Sequence, residues 1–129
     1  MKFPSGLRYT KTHEWARREE TRLIVGLTDY AQHEISDIVY VELPKVGQEV
    51  LQGKAIAVVE SVKAAFDIYA PMSGAVRAIN TALESDPSLV NREPYERGWL
   101  FEMMPSDQTE WDSLLTHDQY EAFLKQAAH

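Results

Sequence analysis

Polar and apolar positions alternate along most of this chain, with a period near two, and the pattern changes to a helical one only at the end. Leu7 to Thr10 and His13 to Arg18 alternate, with Trp15 as the anchor of the second run. Glu19-Glu20 is a polar turn, and Thr21 to Leu27 returns as a strand rich in Leu, Ile and Val. The pattern predicts an N-terminal hairpin. Further strands are expected at Ile38 to Leu43, Val50-Leu51, Ala55 to Glu60, Phe66 to Ala70, Ala75 to Ile79 and Gly98 to Met103. Beyond Pro105 the period lengthens: Trp111, Leu114 and Leu115 repeat at helical spacing, and Tyr120, Phe123 and Leu124 share one helical face.

The punctuation agrees with this division. Thr28 is placed as an N-cap, with Asp29 in the first turn of a short helix ending near Ile35, and Ala31 and Ile35 share its inner face. Ser85-Asp86-Pro87 precedes a second short helix from Ser88 to Asn91, and Arg92 to Arg97 is loop. Thr116 and Gln119 are spaced as a capping box for the tail. Pro44-x-x-Gly47 and Pro71-x-x-Gly74 repeat one turn pattern, each between strands. Two similar strand–turn–strand units around a central hairpin imply a quasi-two-fold β sandwich. The prediction is one mainly β domain over 1–129, with a core at about 7–104 and a helical tail at about 106–128.

Between the two turns lies the stretch that carries the most information, Val58 to Tyr69. It reads as strand, tight connection, strand. Tight hairpin connections ordinarily use Gly, Asn or Asp to reach positive φ, and the run Ser61-Val62-Lys63-Ala64-Ala65 contains none of them. By residue type alone Lys63 is a solvated surface charge.

Composition then removes function classes. The net charge of −7 argues against nucleic acid and favours partners with basic patches. The absence of cysteine excludes disulfides, thiol catalysis and thiolate metal sites. No apolar run is long enough to span a bilayer, and the first residues lack a signal-peptide core, so a complete cytoplasmic protein is expected. His13, His33, His117 and His129 show no metal-ligand spacing. There is no G-x-S-x-G elbow and no phosphate-cradling glycine loop. Glu60 and Asp67 are more simply the polar ends of a hairpin than an acid–base pair. A small acidic β domain without catalytic equipment fits a carrier. A carrier needs one exposed attachment group on a rigid support, and an acylated lysine at a hairpin apex supplies it.

The chain resembles the H-protein family of the glycine cleavage system. The resemblance rests on Tyr9-Thr10-Lys11-Thr12-His13-Glu14-Trp15, Gly26-Leu27-Thr28-Asp29-Tyr30-Ala31-Gln32 and Asp37-Ile38-Val39-Tyr40-Val41-Glu42-Leu43-Pro44. It continues through Val58-Val59-Glu60-Ser61-Val62-Lys63-Ala64-Ala65, Asp67-Ile68-Tyr69-Ala70-Pro71, Leu89-Val90-Asn91, Pro94-Tyr95 and Gly98-Trp99. It covers about Leu7 to Phe123.

The resemblance implies a barrel-sandwich hybrid, the fold of lipoyl and biotinyl carriers, and lipoate held as an amide on Lys63. Glu60, Ser61, Val62 and Ala64 would present that lysine. Thr12, Glu14 and Asp67 match, by position, residues lining a cleft that shelters the loaded arm. The implied role is to shuttle an aminomethyl group from a pyridoxal-phosphate glycine decarboxylase to a tetrahydrofolate-dependent aminomethyltransferase. Reoxidation by dihydrolipoamide dehydrogenase follows. The implied partners are these three and a lipoate-attaching enzyme; from the residues themselves neither a metal nor a catalytic residue is expected, and a monomer is the default. Phe66, Ala57 and His33-Glu34 depart from the usual family pattern. Three alternatives stay open: a lipoyl domain of a 2-oxo acid dehydrogenase acyltransferase, which would lack the N-terminal hairpin and the tail; an H-like protein relaying lipoate to other enzymes; and a noncatalytic interaction module. Val62-Lys63-Ala64 does not match the Met-Lys-Met of biotin carriers.

Overall fold

The computed structural model describes residues 1–127; residue 128 of the expected tail and His129 lie outside the described residues. Among the described residues, nine strands form two antiparallel sheets. They are β1 (Arg8–Tyr9), β2 (Glu14–Glu19), β3 (Arg22–Leu27), β4 (Ile38–Glu42), β5 (Glu49–Val50), β6 (Ala55–Ser61), β7 (Ala65–Tyr69), β8 (Gly74–Ile79) and β9 (Phe101–Pro105). The larger sheet has the order β1-β2-β3-β9-β8-β5, and the smaller has the order β4-β6-β7. The mainly β barrel-sandwich class is therefore correct, but the sheets are unequal, because the N-terminal hairpin and β9 extend one of them. Apolar side chains facing inward from both sheets, among them Val25, Val41, Val59, Ile68, Val76 and Phe101, make one core.

Helix α1 (Asp29–Ile35) starts where the sequence places it: the Thr28 hydroxyl accepts the Ala31 N–H at 3.1 Å, and Ala31 and Ile35 are buried. Its end is fixed from far along the chain. The Asn91 side-chain carbonyl accepts the Ile38 N–H at 2.9 Å, and the Asn91 amide donates to Ser36 O at 2.7 Å. Asn91 belongs to α3 (Leu89–Arg92), so the entry to β4 is clamped to that helix. The helical stretch before β9 is richer than the sequence predicts. A further turn, α2 (Ala82–Ser85), buries Leu83. β9 begins at Phe101 rather than Gly98, which is packed against the carbonyls of Leu89 and Glu93.

The tail also differs in its first half. Gln108–Ser113 is a 3-10 helix, and Leu115 leaves helical geometry to bridge Tyr9, with both backbone bonds at 2.8 Å. The helical spacing of Trp111, Leu114 and Leu115 is thus met by a tighter turn followed by one extended rung. Helix α4 (His117–Ala127) then starts at the expected capping box, in which Thr116 N–H reaches Gln119 Oε1 at 2.9 Å and Gln119 N–H reaches Thr116 Oγ1 at 3.3 Å. Tyr120, Phe123 and Leu124 close a second apolar cluster with Leu7, Tyr9 and Trp15.

Two glycines show why the residue is needed. Gly26 faces Trp15 across β2 and β3, and a Cβ there would meet the indole at 2.6 Å. Gly47 has φ +91°, and its N–H donates to Val76 O at 2.8 Å, so the first proline turn is tied to β8, the strand that follows the second.

Candidate functional site

Lys63 stands at the end of the small sheet. The rungs Val58↔Asp67, Val59↔Phe66 and Glu60↔Ala65 bring β6 and β7 together below it, and Val59 is fully buried. The connection has no positive φ. Ser61 does the work that glycine does elsewhere. Its N–H donates to Ala64 O at 2.9 Å, and its hydroxyl accepts the N–H of both Lys63 and Ala64 at 3.3 Å. A serine side chain thus takes the turn's amide donors, and the residues at the tip keep ordinary backbone angles. Val62, Lys63 and Ala64 are all exposed, and among the described residues no ion pair engages the Lys63 ammonium.

Glu14 is built quite differently. It opens β2 and is completely buried. The preceding loop folds around the Thr10 hydroxyl, which accepts the N–H of Thr12 at 3.3 Å and of Glu14 at 3.1 Å. Both threonine hydroxyls donate to Glu14 Oε1 at 2.5 Å, and the Tyr69 N–H donates to Oε2 at 3.1 Å. Burial pushes the Glu14 carboxyl above its ordinary range, and these bonds oppose the shift. The carboxylate therefore ties the Thr10–Glu14 loop to β7 before it can serve any ligand.

Asp67 is exposed, on the strand that descends from the apex. With Phe66 it lines a hollow of about 280 Å³ whose other walls are Thr12, His13, Tyr30 and Glu34. A second hollow of about 210 Å³ is lined by Thr12, Glu14, Tyr69 and Gln52. The three sequence-predicted cleft residues are thus neighbours with unequal access. Thr12 borders both hollows, Asp67 borders one and Glu14 borders the other from behind the Thr12 hydroxyl. Phe66 is 39% exposed at the rim.

Behind the first hollow runs a polar chain that sequence reasoning missed. His13, at φ +75°, places Nδ1 2.8 Å from Tyr120 Oη, and Tyr120 Oη lies 2.9 Å from the Thr28 hydroxyl. The uncommon backbone angle is held by this contact and by the bond from Thr28 N–H to His13 O at 3.0 Å. Burial lowers the His13 pKa. The local Thr10-x-x-x-Glu14 spacing is visible in the sequence; the partner Tyr120, 107 residues from His13, has no local signal.

The donor set fits an acyl group held as an amide. The amine is exposed and unpaired among the described residues, so acylation costs no existing contact, and hollows with a carboxylate and an aromatic rim adjoin the strand below.

Comparison with known proteins agrees with this geometry. The family model described as Glycine cleavage H-protein matches residues 7–127. The Glycine cleavage system H protein of Alcanivorax borkumensis is 56% identical over 119 residues, covering 92% of this chain and 93% of that protein. The protein of the same name from Thermus thermophilus is 51% identical over 128 residues, covering 99% of this chain and 100% of its own. The crystal structure of a glycine cleavage system H protein from Mycobacterium marinum superposes with a TM-score of 0.85 at 33% identity, over 98% of this chain and 100% of that one.

Proposed function

The chain belongs to the glycine cleavage H-protein family, and on that premise we propose that it carries lipoate as an amide on Lys63. It serves glycine cleavage as a carrier, not as a catalyst. The observation that bears the most weight is the apex: one exposed lysine, free of ion pairs among the described residues, on a turn closed by Ser61 and carried by β6, whose Val59 is buried in the core.

Attachment joins Lys63 Nζ to the carboxyl carbon of an activated lipoyl donor. The new C–N bond replaces the bond to the leaving group, and the amine gives up a proton. Once bound, the group supplies the dithiolane that takes up the one-carbon unit of glycine and is reoxidised after its release. The chain's own residues do the rest. Glu60, Ser61, Val62 and Ala64 fix where the lysine points. Asp67 offers an exposed carboxylate for a cationic load at the hollow. Thr12 forms the shared wall, and Glu14 holds Thr12 in place. In this reading the direct contact falls to Asp67, and Glu14 is a positioning residue.

The partners follow from that role: the pyridoxal-phosphate glycine decarboxylase, the tetrahydrofolate-dependent aminomethyltransferase, dihydrolipoamide dehydrogenase and a lipoate-attaching enzyme, in a cytoplasmic setting. No helix among the described residues is long and apolar enough to cross a membrane.

The test is reconstitution. Lipoylated chain, glycine and the decarboxylase are expected to release carbon dioxide, and Lys63→Arg is expected to abolish the chain-dependent part. No release with lipoylated chain would overturn the glycine-cleavage role in favour of lipoate relay. Full release with Lys63→Arg would overturn the attachment point.

A further inference from the structure

The outer edge of the small sheet carries a feature that attachment alone does not use. β4 is an edge strand, and its register with β6 runs Ile38↔Ser61 and then Tyr40↔Glu60, so Val39 is an extra residue at a bulge. As a result two successive large apolar residues reach solvent, Val39 at 52% and Tyr40 at 51% exposure. The bulge lies opposite the Glu60–Ser61 step, at the base of the lysine turn. Val62, beside the lysine itself, is 83% exposed.

A bulge that only protected a sheet edge would be expected to bear charge, since lysine or an acid blunts an edge and apolar side chains invite association. Here the apolar residues are gathered round the one lysine proposed to be modified. The rows Tyr40–Glu60–Ala65 and Glu42–Val58–Asp67 place three carboxylates on the same side of the sheet as Tyr40. Among the described residues none of the three is in an ion pair. The chain has six lysines, so an enzyme that acylates only one must read the surface around it.

We propose that Val39 and Tyr40, with Val62, form the surface by which the lipoate-attaching enzyme selects Lys63. The matching site on that enzyme is an apolar recess beside its lysine channel, flanked by basic side chains that face Glu42, Glu60 and Asp67. The inference rests on the carrier reading given above. The apolar pair supplies contact area at the centre, and the acids supply steering that salt screens. Phe66 does not belong to this surface: it pairs with buried Val59 on the opposite face, although both Phe66 and Asp67 border the hollow at the edge of β7.

The experiment measures initial rates of lipoate attachment to the full, unmodified chain by intact mass, with lipoate, ATP and the attaching enzyme at varied chain concentration. The Val39→Ser/Tyr40→Ser double variant is expected to lose about tenfold or more in kcat/KM, chiefly through KM. Val62→Ser, at a fully solvated position that the fold does not use, is expected to lose several-fold. Tyr40→Phe keeps the ring and is expected to stay within about twofold of the unsubstituted chain. Val46→Ser and Leu51→Ser remove equally exposed apolar side chains elsewhere and are expected to change nothing. Normal attachment to both the double variant and Val62→Ser overturns the proposal while leaving the carrier reading intact. So does an equal loss in Leu51→Ser. Failure of the unsubstituted chain to take lipoate at Lys63 overturns the carrier reading, and this proposal falls with it.

Discussion

At the scale of single residues, Glu14 shows how position changes the meaning of a carboxylate. The family resemblance places it in the lining of a cleft for the loaded arm, and the structure fills its acceptor sites with two threonine hydroxyls and the Tyr69 N–H. Glu14→Ala leaves these three donors without their acceptor and is expected to cost about 1–3 kcal/mol of stability in denaturant titration. The pH dependence has a definite sign. Burial raises the folded-state pKa above the ordinary 4.5, so the folded chain binds more protons in that window. The Glu14 contribution is therefore fully present below the ordinary value and is lost as pH rises through the raised one. Glu14→Gln is expected to remove that component, and the difference between the two stability–pH curves measures it. Asp67 is the complementary case. Because it is exposed, Asp67→Asn is expected to leave stability within about 0.5 kcal/mol while shortening the lifetime of the loaded carrier. An unchanged lifetime would remove Asp67 from the hollow's function. That Thr12 and Glu14 share one site came from the family resemblance and not from their spacing, and the difference in access was not legible, because Glu14 is closed off by Tyr69, 55 residues away.

At the scale of elements, the lysine turn and the last helix owe their form to side-chain hydroxyls. The lack of glycine in the turn was visible in the sequence; that Ser61 replaces it was not argued there, although serine is a known local partner for backbone amides. Ser61→Ala is expected to increase hydrogen exchange at the Lys63 and Ala64 amides while changing global stability by no more than about 1 kcal/mol, since the turn is exposed. Helix α4 was legible from its capping box and apolar face, yet its anchor was not. Tyr120 stacks on Tyr9 at 4.8 Å between ring centroids and meets both His13 and Thr28 through its hydroxyl. Tyr120→Phe retains the stack and is expected to cost about 1–2 kcal/mol in thermal or denaturant unfolding. The first half of the tail was misread because 3-10 and α turns share short-range spacing, and the choice between them is set here by the Tyr9–Leu115 bridge.

At the scale of the whole molecule, alternation of apolar residues made the strands and the mainly β class legible, and turn chemistry placed most of their ends. The sheet order was not legible, since β3 pairs with β9 and β8 with β5 through contacts remote in sequence. Nor was the entry to β4, which Asn91 fixes from another helix. The attachment lysine became a candidate once the rest of the chain offered no catalytic group, and the family membership is consistent with that elimination. The division of the molecule is then simple: the small sheet carries the apex that Ser61 closes, and the Thr10–Glu14 loop, α1 and β7 line the hollows beside it. Site-resolved mass spectrometry of the full chain, after exposure to lipoate and its attaching enzyme, tests this account most directly. One lipoyl increment is expected on the peptide containing Lys63, and none on Lys63→Arg. An increment on Lys2, Lys11, Lys45, Lys54 or Lys125 in place of Lys63, or no increment at all, would contradict it.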